Sequence, residues 1–389
     1  MASPNKRSLV PVGSEHSAFL AILEYFLKNR AALQTGQQRF TLNPGCLRVL
    51  NARLQTLETS LAQQGRMSRG AYFNRTDEDQ HFVAQISALL DYVRSTVVLR
   101  LEPNIPKSLD KHSRLDLTLF HSLRRLELAY LKPSLIENLQ PLHHRLQCLV
   151  VTHSLNSLSE ALDFAQQSTP WKNLVELKVP HNHIPGIDGS LSLAPLVQTL
   201  DLSHNIISRL GDFSPCVDLV SLNLSFNNLS SLTDANVLIG GIRQLILRQN
   251  NISSTEGLDR LYSLEFLDLA QNSVASIAEV RRLAALPCLS SLWLIGNPIA
   301  LDAGYRLSVL VMFPIEVDGH QFILDSTASS SSELRMQRDH SQALDPNHRS
   351  RSSTGSTASS SSSSAQTHSR PTPVGSAQHH SGFALSFSP

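Results

Sequence analysis

Cysteine is scarce. Cys46, Cys148, Cys216 and Cys288 stand far apart and no C-x-x-C pair occurs, so spacing supports neither a zinc site nor a disulfide framework. The four are expected to act as small buried hydrophobes. Charge of one sign is also missing: 33 Lys and Arg face 32 Asp and Glu, a formal balance of +1. No whole-chain field therefore draws the protein to nucleic acid or to anionic membrane. No window approaches the roughly 18 consecutive apolar residues of a membrane span, and the opening MASPNKRSLVPVGSEHS leads into no apolar signal core. A cytoplasmic location is the expectation. The sequence carries no G-x-S-x-G, no G-x-x-x-x-G-K-[ST] and no H-E-x-x-H, so it supplies no catalytic residue, no cofactor loop and no metal ligand set. A non-enzyme is expected.

What the chain has in quantity is leucine at a recurring spacing. LVELKVPHNHI, VQTLDLSHNII, LVSLNLSFNNL, IRQLILRQNNI, LEFLDLAQNSV and LSSLWLIGNPI all fit L-x-x-L-x-L-x-x-N-x-L with aliphatic exchanges. Their asparagines, Asn182, Asn205, Asn227, Asn250, Asn272 and Asn297, are separated by 23, 22, 23, 22 and 25 residues. That is a leucine-rich repeat array. A unit of this length is one short strand plus a return segment, and neither buries its apolar side without a stacked neighbour. Period two along the strand turns Leu177 and Val179 inward and Glu176 and Lys178 outward. The asparagine is expected inside the stack, its amide serving backbone groups that the bend leaves unpaired. His181 and His183, either side of Asn182, are read as flanks of that rung rather than as metal ligands, because no carboxylate or cysteine stands at ligand spacing.

Upstream the pattern loosens. LRRLELAYL and LQCLVVTHSL keep the apolar frame with Leu131 and Ser154 in place of asparagine, and VVLRLEPN from Val97 to Asn104 is a fainter strand. Eight repeats are counted, nine with the faint one. The return segments are short, with apolar residues every three or four positions, which predicts 3-10 or single-turn α structure. The expected fold is an α/β leucine-rich repeat solenoid in four parts. Residues 1–95 form an N-terminal helical region, with Phe19, Ile22, Leu23, Phe26 and Leu27 on one face, Ser14 as its N-cap, and a second helix carrying Leu47, Leu50, Leu54, Leu57 and Leu61. Residues 96–297 form the array and 298–325 a C-terminal cap. Residues 326–389, of which 21 of 64 are serine, are expected to be disordered, since they offer little to bury.

SAFLAILEYFLKN, FHSLRRLELAYL, LVVTHSLNSLSEAL and LWLIGNPIALDAGYR with FILD give the chain a likeness beyond the repeats. From about Ser14 to Asp325 it resembles the N-terminal region of the serine/threonine-protein kinase 11-interacting protein family and, more distantly, nischarin. The resemblance implies a cytosolic scaffold that binds a tumour-suppressor serine/threonine kinase and acts at endosomal or lysosomal surfaces, reaching membrane through partners. It implies no catalytic residue. Short-repeat arrays also serve as regulatory subunits of phosphatases and as cytoskeletal or ciliary assembly factors, and these are the alternative readings.

On the outward strand column the order is Glu127, Val150, Lys178, Asp201, Asn223, Ile246, Asp268 and Trp293. Mixed signs along it disfavour nucleic acid. Ile246 and Trp293, with Phe226 and Phe266 on neighbouring columns, are the candidate partner-binding residues, because exposed aromatics on a rigid sheet make good interface anchors.

Overall fold

Inward leucines at one register, repeated, can satisfy each other only if the strands lie parallel and side by side. In the computed structural model they do. It describes residues 15–34, 39–64, 77–103, 114–137, 140–163 and 169–344. Nine repeat strands, from Val98–Leu101 and Arg125–Ala129 through Cys148–Thr152, Glu176–Lys178, Thr199–Asp201, Ser221–Asn223, Gln244–Ile246 and Phe266–Asp268 to Ser291–Trp293, pair in parallel in chain order. The register sets Leu177, Leu200, Leu222, Leu245, Leu267 and Leu292 in one line. Each repeat adds a fully buried set such as Leu174, Leu177, Val179 and Ile184, all at 0 % exposure. Four such side chains contribute about 6–12 kcal/mol of gross hydrophobic stabilisation before chain entropy is counted. Return segments are single turns: 3-10 at Gly189–Leu193, α at Ala235–Leu238, and a longer α-helix at Ile277–Leu283.

The first strand of the sheet comes from outside the repeats. Phe40–Leu42 pairs in parallel with Leu99–Leu101 and sits between two helices, α1 (Glu15–Gln34) and α2 (Pro44–Gln64). Asn43 starts α2 by accepting from the Cys46 amide at 2.7 Å, with Pro44 at the first helical position, where a missing N–H costs nothing. A third helix, α3 (Asp77–Ser95), leads into the faint strand, and Tyr92 on it meets Phe26 at a tilt and Phe40 edge to face, with ring centroids 5.1 and 5.3 Å apart. These helices share one core with the first repeats and close the open end of the array. Leu27 departs from the expected stripe and is 37 % exposed. Ser14 and the side chains of Leu57 and Leu61 lie outside the described residues.

At the other end the ordered chain runs past the boundary expected at residue 325. Ile323–Leu324 pairs in parallel with Ser291–Leu292, Thr327–Ala328 turns back antiparallel upon it, and a helix spans Ser331–Leu344. The reason is polar. Arg306 donates to Glu333 at 2.8 Å and to the carbonyls of Leu324 and Ala328 at 3.0 Å each, and Gln337 donates to the Leu310 carbonyl at 2.6 Å. Serine content concealed a segment that serves the last strand's open edge. Residues 345–389 of the expected tail lie outside the described residues.

Candidate functional site

The six asparagines are between 1 % and 7 % exposed. Each links two repeats. Asn205 Nδ2 donates to Leu202 O at 2.9 Å in its own repeat and to Val179 O at 3.0 Å in the one before, while its Oδ1 accepts from the Ile184 amide at 3.1 Å. Asn227, Asn250, Asn272 and Asn297 repeat the arrangement, with Oδ1 accepting from Ile207, Leu229, Ile252 and Val274. Asn182 accepts from both Ser154 N and Leu155 N at 2.9 Å, in the repeat where Ser154 holds the rung position. Beyond Asn297, Asp325 accepts from Leu294 N and Ile295 N at 2.7 and 2.9 Å, and the Tyr305 hydroxyl donates to its other oxygen at 2.8 Å.

The residue before each rung lies in the left-handed region. Tyr130, His153, His181, His204, Phe226, Gln249 and Gln271 all have φ between 54° and 60°. The twist costs each residue about 1–2 kcal/mol but directs its amide to the next repeat, as from His204 N to Ser225 O at 2.9 Å. One consequence went unread in the sequence: the first five residues stack their rings. Centroids lie 4.6 Å apart for Tyr130–His153, 5.4 Å for His153–His181, 4.1 Å for His181–His204 and 4.0 Å for His204–Phe226. The signal was present as an aromatic or imidazole at one fixed position ahead of five successive rungs. Burial and the neighbouring His181 pull His153 and His204 below the usual imidazole range, against the charges of Glu102 and Asp201.

Phe226 therefore belongs to this column and not to the patch expected on the sheet face. Its positive φ of 56° takes the chain out of the strand, where the ring meets His204. The other three candidates do lie on the sheet. Phe266 and Trp293 meet edge to face, with centroids 5.0 Å apart, and both are half-buried. Ile246 and Trp293 occupy one column with Asp268 between them. Asp268 is 3 % exposed, and burial pushes its carboxyl up despite a 2.8 Å bond from the Ala270 amide. Ile323, 36 % exposed, extends the apolar ground one strand further in the Phe266 column.

The opposite end of the sheet is ionic. Glu127 accepts from Arg125 at 2.8 Å and from Arg39 at 3.0 Å, and Arg100 stands 3.5 Å away. Burial raises the Glu127 carboxyl, yet the Arg125 hydrogen bond and the charges of Arg39, Arg125 and Arg100 outweigh it and hold the group below the usual carboxylate range. Arg125 also reaches Glu176 at 2.8 Å. Cys148, next in that column, is pushed up to about 12 by burial and by Glu176, so it is a neutral thiol at neutral pH. Among the described residues no group of three or more His, Cys, Asp or Glu is placed to hold a metal ion.

These features define a class, the leucine-rich repeat solenoid, and the leucine rich repeat family pattern matches residues 172–229. More particular likenesses lie among curated proteins. The chain is 28 % identical over 263 residues to the serine/threonine-protein kinase 11-interacting protein of Gallus gallus, covering 65 % of this chain and 24 % of that protein. It is 30 % identical over 240 residues to the Homo sapiens protein of that name, covering 59 % and 21 %. The chain thus spans about a quarter of the length of these relatives. Among solved structures, a leucine-rich repeat protein of Leptospira interrogans aligns over 64 % of this chain and 66 % of its own, at 19 % identity and a TM-score of 0.45. No described helix is long and apolar enough to cross a membrane.

Proposed function

We propose that this chain is a non-catalytic scaffold that docks a serine/threonine kinase on the sheet face of its last repeats. The observation that carries the reading is the half-exposed Phe266–Trp293 pair with Ile246 and Ile323 around it, on a backbone made rigid by the ladder behind it. Aromatic anchors on a preorganised surface lose little entropy on binding. Support for the kinase comes from the name that the curated relatives carry, and on this reading membrane association follows only through partners.

The test is capture of purified kinase by the full chain and by a Phe266→Ala/Trp293→Ala variant whose unfolding midpoint is checked alongside. Loss of capture at least tenfold, about 1.4 kcal/mol, is expected. Phe226→Ala, in the ring column, is expected to bind normally. Undiminished binding by the folded double variant would sink the assignment. Capture of a purified phosphatase catalytic subunit or of purified cytoskeletal proteins in the same assay, with no capture of the kinase, would favour the alternatives.

A further inference from the structure

An open surface pocket of about 230 Å³, its polar lining residues exposed, lies at the edge of the array where the chain enters three successive strands. His121, Ser122 and Arg124 line it from the turn before Arg125–Ala129, His144 and Arg145 from the turn before Cys148–Thr152, and Asn173 from the segment before Glu176–Lys178. No carboxylate is on the lining. We infer that this pocket is an oxyanion site that takes the phosphate monoester of a phosphorylated serine or threonine in a peptide.

The first ground is charge left uncompensated. On the sheet face Arg39, Arg100 and Arg125 are spent on Glu127, and at the C-terminal end Arg306 is spent on Glu333. Arg124 and Arg145 have no carboxylate partner among the described residues, although each can offer five N–H donors. The second ground is preorganisation. Arg145 Nη1 donates to the His121 carbonyl at 2.9 Å, which ties the guanidinium across two repeats and leaves its remaining donors for a ligand. Asn173 Nδ2 donates to the His144 carbonyl at 2.6 Å, leaving its Oδ1 to accept from a peptide N–H.

A phosphate monoester carries close to two negative charges at neutral pH and three acceptor oxygens, which suits two guanidinium forks better than a single carboxylate does. Three adjacent strands span only about 10 Å, room for one phosphorylated side chain and its neighbours but not for a run of nucleotides. Leu123, the one aliphatic lining residue, is fully buried, so nothing there can insert into a lipid layer. The site is separate from the sheet-face patch and stands without it.

The test is fluorescence anisotropy on the full chain with a degenerate nonapeptide library bearing a central phosphoserine, its unphosphorylated counterpart, inorganic phosphate as competitor, and vesicles containing phosphatidylinositol bisphosphate. Expected are preference for the phosphorylated library, displacement by inorganic phosphate, and a loss of about tenfold or more in Arg124→Gln/Arg145→Gln, since charge-assisted forks are among the stronger hydrogen bonds. Arg124→Gln alone breaks no hydrogen bond seen within the protein and serves as the second variant if the double one fails to fold. Equal binding of the two libraries, an unchanged folded variant, or vesicle binding without phosphopeptide binding would each overturn the assignment.

Discussion

Replacing Asn227 with alanine removes four contacts at once. Its Nδ2 donates to Leu202 O and Leu224 O at 3.0 Å each and to Ser225 O at 3.2 Å, and its Oδ1 accepts from Ile207 N at 3.0 Å. The side chain is 6 % exposed, so water cannot replace these partners without opening the stack. Ile207 N–H would be left as a buried orphan, since Asn227 Oδ1 is its acceptor. The two hydrogens of the amide, at about 1 kcal/mol net each, and about 1–3 kcal/mol for the orphaned Ile207 donor combine to an expected cost of about 3–5 kcal/mol. Asn228, exposed and one residue further on, is the control, and Asn228→Ala is expected to stay within about 0.5 kcal/mol of wild type. Equilibrium urea unfolding followed by circular dichroism measures both. A loss below about 1 kcal/mol for Asn227→Ala, or equal losses at the two positions, would show that the ladder does not hold the repeats together.

The ring column makes stability depend on pH. His153 and His204 have folded values below the ordinary 6.5, so the unfolded chain binds more protons between the two; stability should be level above about pH 6.5 and fall as pH drops beneath it. His181→Gln, the residue already found at this position as Gln249 and Gln271, should flatten that slope in urea titrations run at stepped pH, and an unchanged slope would dissociate the stack from the effect. Glu127→Gln should cost about 3 kcal/mol by leaving Arg39, Arg100 and Arg125 without their shared anion. Because the Glu127 carboxyl is held low, that contribution is present above its ordinary 4.5 and is lost as pH falls through the folded value. Gly257→Ala places a Cβ 2.1 Å from the Leu232 carbonyl oxygen at φ +92°, and should lose more than about 2 kcal/mol by thermal unfolding. Gly240→Ala, at φ +69° with open space around it, should lose only about 1 kcal/mol.

Much of the array was legible residue by residue. Leu177 and Asn182 announce a strand and a rung because period two and a recurring amide are local properties, and stacking merely repeats them. The first strand was not legible: Phe40–Leu42 is three residues between helices, and only its pairing with Leu99–Leu101 makes it a strand. Nor was the C-terminal closure, since Glu333 and Gln337 read as part of a serine-rich polar stretch until Arg306 and the Leu310 carbonyl stand opposite them. Phe226 was misplaced because a hydrophobic pattern tells inward from outward but not strand from turn, whereas a φ of 56° decides the matter.

By itself the sequence determined the solenoid: inward leucines and buried amides at near-constant spacing leave one way to bury the apolar side of each unit, against the next copy of itself. Tertiary structure alone decided which side chains from different repeats meet. Stacking brings residues some 22 positions apart to within about 5 Å, and so it built the ring column, the Glu127 cluster, the Phe266–Trp293 pair and the arginine-lined pocket, none of which is a property of any single repeat.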